Sequence, residues 1–139
     1  MKIIPVLLLA LACTLSSADG TDEFSIPAWS VQAFARSFQS ALKEKDVTRV
    51  ADMVSYPLRF NLEGGKFRRV GKAQLIKEYD QIFSPAVVKE VLAQDPGDLF
   101  QNYQGVMFGN GAVWANEFCE GRKRPDCPLR VITVNQLAR

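Results

Sequence analysis

The chain has 139 residues, of which 47% are hydrophobic and 23% charged, with 17 basic against 15 acidic side chains and no histidine. That balance suits one folded domain, argues against long disorder, and gives no global attraction to nucleic acid or anionic membrane. The missing histidine excludes Ser-His-Asp, Cys-His and Asp-His machinery and any His-ligated metal site.

Lys2, the apolar run Ile3 to Ala12 and the small residues Ser16-Ser17-Ala18 form the pattern of a secretory signal peptide. The run is too short to span a bilayer as a helix. Cleavage after Ala18 leaves residues 19–139 as one α+β domain, exported to the periplasm or secreted, and the loss of Lys2 lowers the net charge from +2 to +1. A second reading stays open: Ala10-Leu11-Ala12-Cys13 loosely matches a lipobox, and lipidation at Cys13 would anchor the chain in the same outer compartment. Past this segment no apolar stretch is long enough for a transmembrane helix.

Asp19 to Phe24 reads as a polar lead-in. From Pro27 to Lys43, Val31, Phe34, Phe38, Ala41 and Leu42 recur at helical spacing, and Pro27 suits the first turn. Asp46 is placed to cap a short second helix with Val47, Val50, Ala51 and Val54 inward. Tyr56 to Leu62 alternates as a strand, with Tyr56, Leu58, Phe60 and Leu62 on one face. Pro57 puts it at an edge or a strand start. Glu63-Gly64-Gly65-Lys66 predicts a tight hairpin that sets Leu62 opposite Phe67 and Asn61 opposite Arg68.

Lys72 to Phe83 reads as one helix with Leu75, Ile76, Tyr79, Ile82 and Phe83 on a stripe. Ser84-Pro85 opens another, carrying Val87, Val88, Val91 and Leu92, and Asp95-Pro96-Gly97-Asp98 ends it. Asn110-Gly111 predicts a two-residue hairpin pairing Phe108 with Val113, Met107 with Trp114 and Val106 with Ala115. Met107, Trp114, Gly105 and Asn116 then share one face. A final strand spans Leu129 to Leu137, with Leu129, Val131 and Thr133 alternating against Arg130, Ile132 and Val134.

Cleavage removes Cys13 and leaves Cys119 and Cys127, an even count for an oxidising compartment. They flank the loop Glu120 to Asp126 between two adjacent strands, a spacing that predicts a structural disulfide worth about 2.5 kcal/mol of chain entropy. Two cysteines cannot complete a tetrahedral metal site, and no cofactor or metal is expected.

The helix and short helix over Phe34 to Asp52, the strand Tyr56-Pro57-Leu58-Arg59-Phe60, the helix opening at Gly71-Lys72-Ala73-Gln74-Leu75-Ile76 and the hairpin Gly105 to Phe118 come in an α+β order. It resembles the nuclear-transport-factor-like, or SnoaL-like, members of the cystatin-like cone superfamily. The resemblance implies N-terminal helices packed on a curved, mostly antiparallel, cone-like sheet that encloses a pocket. It implies either binding or catalysis by an Asp-His or Asp-Tyr pair, and the missing histidine counts against the latter.

Tyr56, Arg59, Tyr79, Met107, Trp114, Asn116 and Glu117 are the ligand-pocket candidates, because apolar walls with a few convergent polar groups build binding sites. Arg122, Lys123 and Arg124 form a basic finger on the loop at the disulfide, suited to an acidic partner. The expected role is an exported binding protein for a small apolar ligand or an envelope protein, of the inhibitor or immunity type. No nucleic-acid partner is expected. The alternative is a cone-fold isomerase or hydrolase with Asp80 or Glu117 as base and Tyr56 or Tyr79 as donor.

Overall fold

The computed structural model describes residues 25–124 and 126–138. The signal-peptide and lipobox readings at residues 1–18, and the lead-in Asp19 to Phe24, lie outside the described residues.

Helix α1 (Ala28–Lys43) buries Val31, Ala35, Phe38, Ala41 and Leu42 along its apolar stripe. Asp46 caps α2 (Val47–Asp52), its Oδ1 accepting the Arg49 backbone N–H at 3.1 Å. Strand β1 (Val54–Asn61) begins at Val54, which the periodicity assigns to the helix, and β2 (Phe67–Val70) returns antiparallel. The expected helix from Lys72 to Phe83 is broken at Glu78 (φ −106°, ψ 24°) into α3 (Lys72–Lys77) and α4 (Tyr79–Ile82). Leu75, Tyr79, Ile82 and Phe83 are buried in the core, and Ile76, expected on the same stripe, is exposed. Helix α5 (Pro85–Ala93) starts at Ser84, whose Oγ accepts the Val87 N–H at 3.4 Å, with Pro85 in the first turn. The chain closes with β3 (Gln101–Asn102), β4 (Gly105–Phe108), β5 (Val113–Glu117) and β6 (Leu129–Asn135).

The strand order is β2-β1-β6-β5-β4-β3, antiparallel throughout except for the parallel pair β1 and β6. This corrects the cone. The α+β class and the mostly antiparallel sheet hold, but the sheet is open, with β2 and β3 as its two edges, and neither curls nor closes. The resemblance to the nuclear-transport-factor-like, SnoaL-like and cystatin-like folds therefore does not stand. Closing a sheet demands long, tilted strands that meet edge to edge. Here the edges are strands of four and two residues.

Three local features set which side chains face which way. The β1–β2 turn has a three-residue loop, Glu63-Gly64-Gly65, and the Leu62 N–H donates to the Lys66 carbonyl at 2.8 Å. Asn61 therefore opposes Phe67 and Phe60 opposes Arg68, one residue away from the expected register. Gly64 and Gly65 permit it, with φ of 76° and 77°. Secondly, the β5–β6 pairing shifts between Trp114 and Ala115, so Ile132 is an extra residue on β6. Val134 then turns inward and Thr133 outward, reversing the expected alternation past Val131. Thirdly, Pro57 lies on an interior strand, not at an edge or strand start. It sits where the β1–β6 register breaks and before β2 pairing begins at Leu58, so no ladder donor is required of it. The Asn110-Gly111 hairpin has the expected register.

The helices cover one face of the sheet. Phe38 of α1 packs its ring 5.8 Å from Phe34, 6.1 Å from Phe83 and 5.8 Å from Phe108 of β4. Leu58, Phe60, Val70, Val106, Val113, Ala115, Val131 and Val134 complete this inner side. At the far end α5 presses on the β4–β5 turn, where a Cβ on Gly109 would come within 2.9 Å of the Glu90 backbone. Cys119 and Cys127 form the expected disulfide, with Cα atoms 4.4 Å apart. Truncating Phe38 to alanine should cost about 3 to 5 kcal/mol of stability, read from chemical denaturation, because it opens a cavity at the junction of three elements.

Candidate functional site

Alternation along each strand leaves a second face that no helix covers among the described residues. Its middle row can be followed through the pairings: Arg69 opposes Arg59, Arg59 lies beside Thr133, Thr133 opposes Trp114, and Trp114 opposes Met107. The Met107 N–H donates to the Phe100 carbonyl at 2.9 Å, which extends the row to the β3 side. A neighbouring row holds Phe67, Asn61 and Asn135. A shallow groove of about 500 Å³ crosses this face, lined by Arg59, Asn61, Trp114, Asn116, Thr133 and Asn135, with Ile132, Gln104 and Tyr103 beside them.

The polar side chains of the groove are tied to one another. Arg59 Nε donates to Asn61 Oδ1 at 2.8 Å, Asn61 Nδ2 to Asn135 Oδ1 at 2.6 Å, and Asn135 Nδ2 to the Gly111 carbonyl at 2.5 Å. Asn116 Nδ2 reaches the Gln104 carbonyl at 3.4 Å. The Arg59 guanidinium lies 4.0 Å from the centre of the Phe67 ring, and that of Arg69 lies 5.9 Å from it. Neither arginine has an ion-pair partner among the described residues. No carboxylate lines the groove. The arrangement offers aromatic and thioether surface, neutral amides and fixed cations.

Four of the sequence candidates meet on this face: Arg59, Met107, Trp114 and Asn116. The other three do not. Tyr56 donates its hydroxyl to the Ala51 carbonyl at 2.7 Å at the end of α2. Tyr79 packs in the core, its ring 5.5 Å from Phe83. Glu117 points to the inner side with its side chain 4% exposed, and its buried oxygen is met by the Arg124 guanidinium. Strand parity separates it from Asn116, and that parity was readable from the hairpin. Arg122 and Lys123 are exposed on the loop at the disulfide, whereas Arg124 is engaged with Glu117.

These positions also bear on the enzyme alternative. Asp80 pairs with Lys45 at 2.8 Å on the surface, and Asp52 with Lys72 at 2.6 Å. None of the carboxylates or tyrosines named for catalysis enters the groove. A second hollow of about 570 Å³ lies on the helix side between Phe60, Leu62, Pro85 and Leu137. Its charged members Arg68 and Asp80 are held by Glu78 and Lys45.

Sequence reasoning missed Asn135 and Phe67 as members of this face, whereas Asn61 lies in the groove. The one-residue difference in turn register hid Phe67, and the bulge at Ile132 hid which residues of β6 face outward. Among the described residues, no helix is long and apolar enough to cross a membrane. Comparison with protein-family models, with curated proteins and with solved structures finds no match for this chain.

Replacing Asn135 with alanine should break the relay from Arg59 to Gly111. The expected cost is about 1 kcal/mol of stability, with faster motion of the Arg59 Nε–H in NMR relaxation. The tyrosines predict a base transition. Burial, with Asp52 nearby, pushes the Tyr56 hydroxyl up to about 12. Burial, with Asp80 and Asp46, does the same for Tyr79. The unfolded chain ionises these groups near 10 and so binds fewer protons than the native state above that pH. Their contribution is complete below pH 10 and is lost as pH rises towards 12. Denaturation midpoints across that window should fall in the parent and fall less in Tyr79→Phe.

Proposed function

We propose that this is an exported, non-catalytic binding protein that seats a protein partner on the uncovered sheet face. The row Phe100, Met107, Trp114, Thr133, Arg59 and Arg69 carries the reading. Tryptophan, tyrosine, methionine and arginine are the side chains that protein interfaces concentrate, and lysine, aspartate and glutamate are those they deplete. Phe67, Phe100, Tyr103 and Phe118 are left exposed in the same chain, an apolar cost that a covered surface would remove. The interior favours a partner over an enclosed small molecule. Phe38, Leu58, Val106, Val113 and Val131 are wholly buried, the hollow on the helix side at Phe60 and Pro85 has its charged members already paired, and the groove itself is shallow.

Export is part of the same proposal. The disulfide between Cys119 and Cys127 suits an oxidising compartment, in keeping with the signal-like pattern of Lys2 to Ala18. Inhibition or immunity would be the work of such a face, since capping a partner's surface requires area and complementarity and no chemistry.

The test is purification from an envelope fraction under gentle conditions, followed by intact mass spectrometry and affinity measurement on the partner recovered. Trp114→Ala should weaken the partner's binding by about thirtyfold or more, the loss expected for a central aromatic anchor. Lys89→Ala, on the exposed side of α5, should leave it unchanged. A chain that elutes alone, carrying a small molecule, would overturn the reading.

A further inference from the structure

The edge strand β2 combines two features that a partner could read together. The Leu62 N–H donates to Lys66, so Leu62 and Lys66 form a hydrogen-bonded pair of the antiparallel ladder. Such pairs alternate with non-bonded ones. Phe67 opposite Asn61 and Arg69 opposite Arg59 are therefore the non-bonded pairs, and their backbone N–H and C=O groups point away from β1. The Asn61 carbonyl agrees with this assignment, since it turns to the other side and accepts from Gln136 at 2.8 Å. Because β2 ends the sheet, Phe67 and Arg69 present two donors and two acceptors along an edge that is unpaired among the described residues.

The same two residues project their side chains onto the uncovered face. Arg69 lies directly opposite Arg59, and both guanidinium groups lie near the Phe67 ring. Like charges directly across a ladder are destabilising. No carboxylate among the described residues neutralises either of them. Positive charge on an edge strand commonly serves to keep copies of the chain apart. That role would be met by the exposed Lys66 beside the edge, and it does not require a second arginine, Arg59, on the interior strand.

We infer that an extended, acidic segment of a protein partner adds to β2 as a seventh strand. Its backbone pairs with the outward groups of Phe67 and Arg69, and its alternate carboxylates lie against the Arg59–Arg69 pair. Main-chain pairing of this kind supplies affinity, and the alternate side chains supply specificity. The charges that repel a second copy of this edge select an acidic strand. The inference rests on the partner-binding reading of the sheet face and names how the partner approaches it.

The probe is a short capped peptide of alternating Glu and Val, with its Lys-Val counterpart and a version N-methylated on the edge that would meet β2. Amide exchange is followed by NMR on the isotope-labelled mature chain. The Glu-Val peptide should slow exchange at the Phe67 and Arg69 amides by about tenfold, and the N-methylated and Lys-Val peptides should not. Arg69→Glu, verified as folded by its spectrum, should reverse the preference towards Lys-Val.

Absence of protection at these two amides with millimolar Glu-Val peptide would overturn the inference. So would equal binding by the N-methylated peptide, or saturable binding to phosphatidylglycerol vesicles that Arg59→Ala abolishes while the peptide has no effect. A recovered partner separates the two claims. If its binding is lost in Trp114→Ala but unchanged in Arg69→Glu, strand addition fails and the partner-binding face stands. If neither substitution matters, both fail.

Discussion

The packing of Phe38 against Phe108 and Phe83 is the contact on which the two-layer arrangement depends. It joins α1 to β4 and to the end of α4, and burial of aromatic surface at one point draws three elements to the same side of the sheet. Once the described helices lie there, no described element covers the residues of opposite parity. The uncovered face is thus a consequence of one-sided packing. A cone would have placed its binding residues between sheet and helices, where this protein has Val106, Phe108, Val113 and Ala115 fully buried.

Which side chains occupy the uncovered face depends on two departures from regular strand geometry. The three-residue turn at Glu63-Gly64-Gly65 brings Phe67 opposite Asn61, beneath the Arg59 guanidinium. The bulge at Ile132 turns Thr133 outward beside Trp114 and returns Val134 to the core. A strand has a period of two, so one residue gained or lost exchanges the two faces from that point on. Together these features align Arg59, Thr133, Trp114 and Met107 in one row.

The loop between β5 and β6 is held in two ways. The disulfide closes its base, and Arg124 folds back onto the nearly buried Glu117 carboxylate. A buried carboxylate without a partner would be costly, so this pair engages one member of the basic finger, Arg124. Arg122 and Lys123 keep their exposed positions at the loop, whereas the arginines on the groove side come from β1 and β2. The two sources of positive charge are separate in origin: one belongs to a stapled loop and the other to the sheet.

Much of this protein was determined by sequence alone. Local chemistry accounts for α1, for the caps at Asp46 and Ser84, for the Asn110-Gly111 register that pairs Met107 with Trp114, and for the Cys119–Cys127 bridge. Each depends on residues close in the chain, whose spacing carries its own signal. Tertiary structure alone decided the rest. The open strand order, the break at Glu78, the bulge at Ile132 and the meeting of Arg59 with Asn61, Asn135 and Phe67 all require contacts between distant segments. Periodicity shows that a strand has two faces, but which face is covered follows only from where the helices pack.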